Sequence, residues 1–210
     1  MKYEFITDLD GYFCEKYEDY DKLCVLKGYS MPKMQAVKRL KDGRDYAYTL
    51  PQNTMRLALQ KNKESLLQEL KEGLHDTTFS FSFRPLAFWA RVKDKFNKRS
   101  FKKVFPIVLQ RKNLTVEEVG KKLPVSEKTY KRFLNGRYYP TKNLIFSLGL
   151  TFALSDTDVA ELMEVCGEGF DFTEPKDVVV AYLLTRNITN RGMIDAALAE
   201  YKIGNLFLGE

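Results

Sequence analysis

One short segment of the chain, residues 126–135, carries charged side chains that could recognise an anion. Glu127, Lys128, Lys131 and Arg132 recur there at the spacing of a single helix face. Lysine and arginine on such a face bind phosphate oxygens, and arginine also forms paired hydrogen bonds with base edges. The chemistry that this spacing favours is the binding of a polyanion.

Other residue types that often carry chemistry are few. The three cysteines, Cys14, Cys24 and Cys166, are too sparse for a disulfide framework, and with the single His75 they match no zinc-site spacing. A catalytic triad or a Cys–His dyad would have to use His75, and no nucleophile signature accompanies it. We therefore expect no metal, no cofactor and no catalytic residue, and predict that the protein is not an enzyme.

The N-terminal segment 5–11 (FITDLDG) offers an enzyme alternative. It resembles the first motif of haloacid-dehalogenase-like phosphatases, which would make Asp8 the nucleophile, with magnesium, and Asp10 the acid/base. That family requires a doubly wound α/β domain, and the residues that follow show no series of buried parallel strands. Tyr12 also stands where the motif has threonine. We prefer a short strand at 3–6 that ends in an Asx-type turn.

The charge is unevenly distributed along the 210 residues. Residues 1–80 carry 13 basic and 13 acidic side chains, residues 81–150 carry 17 and 4, and residues 151–210 carry 4 and 11. The net charge of +6 therefore contains a central block of +13. Such an asymmetry is typical of proteins that bind nucleic acid or an acidic surface. The acidic C-terminal part restricts this interpretation to one surface of the protein.

The composition is that of a globular protein, with 44% hydrophobic and 30% charged residues. The sequence contains no run of 18 apolar residues, so we expect no membrane partner. No apolar signal region follows Met1, which predicts a cytoplasmic location.

The residue pattern predicts an α+β fold, in which a small N-terminal α+β domain precedes an all-α domain. In the first domain, residues 1–84, an Asp-Gly turn between alternating runs predicts a β-hairpin with strands at 34–40 and 45–50. Helical periodicity then indicates a helix at 54–73, and strict alternation indicates a strand at 77–83.

After Pro85 the pattern changes to consecutive helices. Residues 85–99 form a predicted basic helical connector, and residues 100–210 a helical domain with extra C-terminal helices. Ser126 and Ser155 fit helix N-caps. Helices are expected at 86–96, 101–112, 115–123, 126–135, 141–153, 156–166, 175–186 and 190–201. Six aromatic residues are expected in the core, and the alternative is that they stack on nucleic-acid bases. They are Phe79, Phe81, Phe83, Phe88, Trp89 and Phe96.

The segment 114–136 (LTVEEVGKKLPVSEKTYKRFLNG) predicts two short helices joined by a tight turn. Gly120 lies in the first helix, where it costs roughly 1 kcal/mol relative to alanine, as expected if the second helix crosses close to it. A short basic helix braced by another at a steep angle is the helix-turn-helix arrangement. The segment resembles the helix-turn-helix of the phage-repressor and Cro-like (XRE) family, and the resemblance covers about residues 100–166. The residues in family positions are Leu114, Thr115, Glu117, Glu118, Leu123, Val125 and Ser126.

The resemblance implies a DNA-binding bacterial or phage transcriptional regulator that reads duplex DNA with helix 126–135, and it allows a homodimer. It places Glu127, Lys128 and Arg132 at base-edge positions. The residues that it places near phosphates are Thr115, Lys131, Asn135, Arg137, Tyr138 and Lys142.

Three departures from the family pattern favour an alternative. Val116 replaces a glutamine that helps to dock on DNA, and Glu127 places a carboxylate near the phosphates. Pro124 replaces the turn glycine. The turn cannot be the usual left-handed one, because the φ of proline is fixed at about −65°. The alternative is a protein–protein interaction module that keeps the helix-turn-helix fold without binding DNA. Its partner would contact the acidic C-terminal helices or the N-terminal domain.

Overall fold

A computed structural model describes residues 2–17, 35–41, 43–50, 63–76, 83–97 and 99–209. These residues form ten helices and four short strands, a mixed fold of the α+β kind. The helices are α1 (Lys2–Lys16), α2 (Lys63–Gly73), α3 (Phe88–Phe96), α4 (Phe101–Arg111), α5 (Val116–Lys122), α6 (Glu127–Leu134), α7 (Lys142–Thr151), α8 (Asp156–Cys166), α9 (Pro175–Thr185) and α10 (Arg191–Glu200). The strands are β1 (Gln35–Arg39), β2 (Asp45–Thr49), β3 (Phe83–Pro85) and β4 (Tyr138–Pro140).

The chain divides into two compact units. One unit combines residues 1–17 with residues 75–210, and the other consists of residues 18–74. These bounds differ from the predicted domain bounds, because α1 belongs to the unit that contains the C-terminal helices. The connector at 85–99 stays a prediction.

The smaller unit contains the predicted β-hairpin. Strands β1 and β2 pair antiparallel from Gln35–Thr49 to Arg39–Asp45, and Gly43 adopts a φ of +83° in the turn between them. The predicted helix at 54–73 is observed from Lys63, and its earlier part lies outside the described residues. The Asp-Gly turn signal is confirmed as a hairpin, because a left-handed residue matches the twist of the paired strands.

The predicted strand at 3–6 is wrong, because these residues belong to helix α1. Phe5, Leu9 and Phe13 recur every four residues and are buried, so they form the inner face of the helix. The ring of Phe13 packs on Tyr201 at a centroid distance of 4.6 Å. Burial of this face outweighs the strand preference of the aromatic and β-branched residues at its start.

The core of the larger unit is built around α9. Every residue from Lys176 to Leu184 is buried. Helices α1, α7, α8 and α10 all pack against α9. Among the described residues, no helix is long and apolar enough to cross a membrane.

The eight helices predicted after Pro85 are all observed, with ends within two residues of the predicted ones. Ser126 and Ser155 are N-caps, as predicted: each side chain accepts a hydrogen bond from a backbone N–H three residues later. The antiparallel pairing of β3 with β4, from Phe83–Pro140 to Pro85–Tyr138, was not predicted. Of the predicted strand at 77–83, only Phe83 lies within the described residues.

Candidate nucleic-acid interface

The start of α5 is fixed by a capping box. The Thr115 hydroxyl accepts a hydrogen bond from the Glu118 N–H at 3.2 Å, and Glu118 Oε2 accepts from the Thr115 N–H at 2.7 Å. The Thr115 N–H and the Thr115 hydroxyl both donate to Glu118 Oε2, and these two hydrogen bonds hold the pKa of the Glu118 carboxyl below its usual value. The predicted site residue Thr115 thus sets where α5 begins.

Helix α6 crosses close over α5, as Gly120 predicted. A Cβ atom at Gly120 would lie 2.5 Å from Cε1 of Tyr130, so only glycine fits beneath that ring. The Tyr130 hydroxyl donates a hydrogen bond to the Val116 carbonyl. Burial raises the pKa of Tyr130 to about 12, so the hydroxyl keeps its proton at neutral pH. The two contacts fix how α6 sits on α5.

The turn between α5 and α6 is extended. Leu123 has φ −77° and ψ 129°, and Ser126 has φ −65° and ψ 149°. The residues with positive φ in the described parts of the chain all lie elsewhere, which confirms that Pro124 excludes a left-handed turn.

The inner face of α6 is held by an aromatic cluster centred on Phe133, which has no exposed surface. Its ring lies 5.0 Å from Phe101, 5.3 Å from Phe105 and 4.9 Å from Phe83, measured between centroids. Packing on three sides prevents the helix from rotating. The predicted core position of Phe83 is consistent with this cluster.

The outer face of α6 brings six of the nine predicted site residues together. They line a shallow open groove of about 440 Å³, here called the α6 groove. Its residues are Glu127, Lys128, Lys131, Arg132, Asn135 and Arg137. A bend at Gly136, with φ +67°, brings Arg137 to the end of this groove.

The α6 groove contains one carboxylate. Glu127 Oε1 lies 2.5 Å from Lys131 Nζ, and this ion pair lowers the pKa of Glu127. Among the described residues, no carboxylate lies within salt-bridge distance of Lys128, Arg132 or Arg137. The groove therefore presents three cations that are not held in an ion pair with any of the described residues.

The other three predicted site residues, Thr115, Tyr138 and Lys142, do not line the α6 groove. Arg132 Nη1 lies 3.5 Å from the Tyr138 hydroxyl, so Tyr138 supports the guanidinium from the side. Lys142 Nζ lies 2.7 Å from Oδ2 of the buried Asp177. The charge of Lys142 is therefore held in an ion pair within the protein.

A comparison of the chain with protein-family models, curated proteins and solved structures found no match.

A second groove adjoins the first one. It has a volume of about 370 Å³ and lies between α3, the start of α4 and the bend at residues 135–137. Asn135 and Arg137 line both grooves. Four of the five cations of this second groove, here called the α3 groove, were not predicted as site residues, although they belong to the +13 block. They are Arg91, Lys95, Lys102 and Lys103.

Asp8 and Asp10, the candidate phosphatase residues, lie on α1 and have structural partners. Asp8 accepts hydrogen bonds from Tyr182 at 2.9 Å and from Arg186 at 3.1 Å, and Asp10 accepts from the Tyr201 hydroxyl at 2.8 Å. They do not follow a strand, which the phosphatase motif requires. In the parts of the chain that the structure describes, no group of three or more His, Cys, Asp or Glu side chains could hold a metal ion.

Proposed function

We propose that this chain is a sequence-specific duplex DNA-binding protein, a helix-turn-helix transcriptional regulator of the bacterial or phage repressor-like kind. The observation that carries the proposal is the two-sided character of α6. Its inner face is fixed by Phe133 and Tyr130, while its outer face presents Lys128 and Arg132, which have no ion-pair partner among the described residues. A rigid helix with projecting cations is what reading a major groove requires.

The residues would divide the work of binding. Lys128, Arg132 and Glu127 would face base edges, with Glu127 suited to the amino group of cytosine. Lys131, Asn135 and Arg137 would bind phosphates, together with the exposed start of α5 at Thr115. Lys142 is left out because Asp177 holds it, and Tyr138 acts through Arg132.

The experiment is a selection from a random duplex library, followed by affinity measurements at two salt concentrations. We expect an enriched sequence, whose affinity falls steeply with salt because bound phosphates release counterions. A homodimer would select two half-sites about one helical turn apart.

The variant Lys128→Ala with Arg132→Ala should weaken binding to the selected duplex by about thirtyfold or more, because each base-edge pair contributes roughly 1–3 kcal/mol. The matched control is Lys38→Ala with Lys41→Ala, two exposed lysines of the hairpin unit, which removes the same charge. The affinity of this control for the selected duplex should stay within about twofold of the wild-type value. Absence of duplex binding at about 50 mM salt, or equal losses in both variants, would contradict the proposal.

A second candidate function is a protein-interaction module. The Glu127–Lys131 ion pair favours it, because it neutralises part of the surface that would approach phosphate. This function predicts that the folded chain retains no duplex at low salt. The duplex selection therefore separates the two candidates.

A further inference from the structure

Helix α3 exposes an unusual number of large apolar side chains. Trp89 and Phe96 are each 79% exposed and Phe88 is 64% exposed, so the prediction that these three residues belong to the core is wrong. Val92 is also exposed on this helix. The rings of Phe88 and Trp89 meet edge to face at 5.5 Å. Exposed apolar patches of this kind mark interaction sites.

The α3 groove beside these rings is strongly basic. Five cations line it: Arg91, Lys95, Lys102, Lys103 and Arg137. The one carboxylate among the lining residues, Asp94, accepts a hydrogen bond from the Tyr139 hydroxyl. Lys103 Nζ lies 2.7 Å from the backbone carbonyl of Asn97, which leaves its charge without an acidic partner in the described residues. The groove is therefore complementary to an anion.

We propose that the α3 groove binds a single-stranded segment of nucleic acid. Bases would stack on the Phe88 and Trp89 rings, and the phosphates would lie along Arg91, Lys95 and Lys102. Aromatic platforms beside a basic groove are the arrangement that binds unpaired nucleotides without sequence preference. The site is separate from duplex binding by α6, although Arg137 lines both grooves.

Charge and shape disfavour the other occupants of this face. A second copy of the chain, paired through α3 about a two-fold axis, would bring each groove's five cations against their own counterparts. A bilayer surface is flat, whereas Lys102 and Lys103 lie on α4 at the far side of a concave groove. A flexible strand can carry its phosphates into that groove and leave its bases on the rings.

Trp89 is the single tryptophan of the chain, and its ring meets that of Phe88, which lines the groove, so its fluorescence reports on this edge of the groove. Titration of the full chain with an oligothymidylate of about twelve nucleotides at about 50 mM salt should quench Trp89 saturably. Heparin, an anion without bases, should compete for the groove without quenching. No quenching by the oligonucleotide, or equal quenching by heparin, would overturn the proposal.

The variant Phe88→Leu keeps the reporter and removes one stacking surface. Its affinity for the oligonucleotide should fall by about tenfold, because stacking on one ring is worth that order of affinity. The matched control is Ile107→Ala, which trims an apolar side chain of α4 that is also exposed. Its affinity should stay within about twofold, and thermal melts should show both variants folded. Equal effects in the two variants would contradict stacking.

Three further arms separate the sources of binding. The Lys128→Ala with Arg132→Ala variant should keep its oligonucleotide affinity within about twofold even where duplex binding is lost. A loss of both would mean that the α3 groove is not a separate site. If the chain binds a duplex of the same length as tightly as the oligothymidylate, and Phe88→Leu weakens that duplex binding, α3 would belong to the duplex-binding surface instead. A blue shift of Trp89 with phosphatidylserine vesicles and no response to oligothymidylate would assign it to lipid.

Discussion

The α7–α9 region and the α6 surface both carry cations, but the two regions surround them differently. In the first region, Lys142 Nζ lies 2.7 Å from Asp177 Oδ2, and Lys176 Nζ lies 2.7 Å from Asp76 Oδ2. The Asp177 side chain is only 4% exposed, so its charge depends on Lys142 for compensation. These cations stabilise the packing of helices.

On the α6 surface, by contrast, Lys128 and Arg137 are exposed and have no acidic partner among the described residues. Their charge is directed at solvent and is available to a ligand. Both Lys128 and Lys142 belong to the +13 block, yet only one of them lines the candidate interface. The difference teaches that a count of charges along the chain overstates the binding surface, because part of the charge is used internally.

The largest effect that would test this comparison is expected for Lys142→Met. The substitution leaves Asp177 buried without its ion-pair partner, and we expect a loss of about 3 kcal/mol in the free energy of unfolding, measured in urea. Duplex affinity of the folded protein should stay within about twofold. The control Lys128→Met should keep its free energy of unfolding within about 0.5 kcal/mol of wild type and should bind the duplex more weakly. Similar stability losses in both would break the distinction.

The pH dependence of Lys142→Met sharpens the same test. Burial raises the pKa of Asp177, and Lys142 opposes that shift, so its removal raises this pKa further. A carboxyl whose pKa is raised on folding contributes stability at low pH that is lost as the pH rises above about 3.9. The loss in the free energy of unfolding of Lys142→Met, relative to wild type, should therefore become smaller as the pH is lowered from about 7 to about 4.5. A constant deficit over that range would contradict the assignment.

The next effect, about 2 kcal/mol, is expected for Asp158→Asn. Burial acts to raise the pKa of Asp158, but hydrogen bonds from Ser155 and Arg111 outweigh it and lower the pKa. The Asp158 carboxylate completes the capping box of α8 with Ser155 and lies 2.8 Å from Arg111 Nη1, so its neutralisation weakens the capping box and removes an ion pair.

A carboxyl whose pKa is lowered on folding stabilises the protein at any pH above its unfolded-state pKa of about 3.9. This stabilisation is lost as the pH falls through the pKa of the folded state. Asp158→Asn should therefore cost most at neutral pH and least near pH of about 3. The control Asp156→Asn, at an exposed position in the same first turn, should cost less than about 0.5 kcal/mol. Urea unfolding at both pH values measures the difference.

The helices after Pro85 could be predicted because their ends carry local signals. Ser126 and Ser155 begin their helices by a hydrogen bond that depends only on the next three residues. The crossing over Gly120 could also be predicted, since a mid-helix glycine is explained by a close neighbour. In the candidate site, the same helical spacing brought Lys128, Lys131 and Arg132 onto one face.

What the sequence did not predict depends on distant partners. The strand expected at 3–6 is a helix because Phe5 and Leu9 pack on helices far along the chain. The pairing of β3 with β4 joins residues more than fifty positions apart, and no local pattern specifies it. The exposure of Trp89 was missed because periodicity shows that α3 has an apolar face but not what covers it.

A smaller effect is expected for Gly120→Ala, which links the inner packing of α6 to its outer face. The new Cβ would lie 2.5 Å from Tyr130 Cε1 and must displace that ring. Overpacking costs roughly 1–3 kcal/mol, and the helix preference of alanine returns roughly 1 kcal/mol, so we expect a net loss of about 1 kcal/mol.

The shift of α6 should also weaken duplex binding severalfold, measured by fluorescence anisotropy. The control is Gly192→Ala in α10, where the nearest atom to a Cβ is Asn190 Oδ1 at 3.4 Å. This control should be neutral or stabilising, with unchanged binding. Full duplex affinity in Gly120→Ala would show that α6 does not need its fixed angle to bind.

The smallest effect on stability is expected for Glu127→Gln. Glu127 is the one carboxylate of the α6 groove, and it holds Lys131 in an exposed ion pair that contributes little to stability. In the proposed function Glu127 accepts from a cytosine amino group, so the selected sequence should lose its preference at one base pair, and affinity for the original duplex should fall. A rise in duplex affinity of about two- to fivefold would show instead that Glu127 only repels phosphate and holds Lys131. A protein-interaction surface predicts neither change, because no duplex is bound by either form.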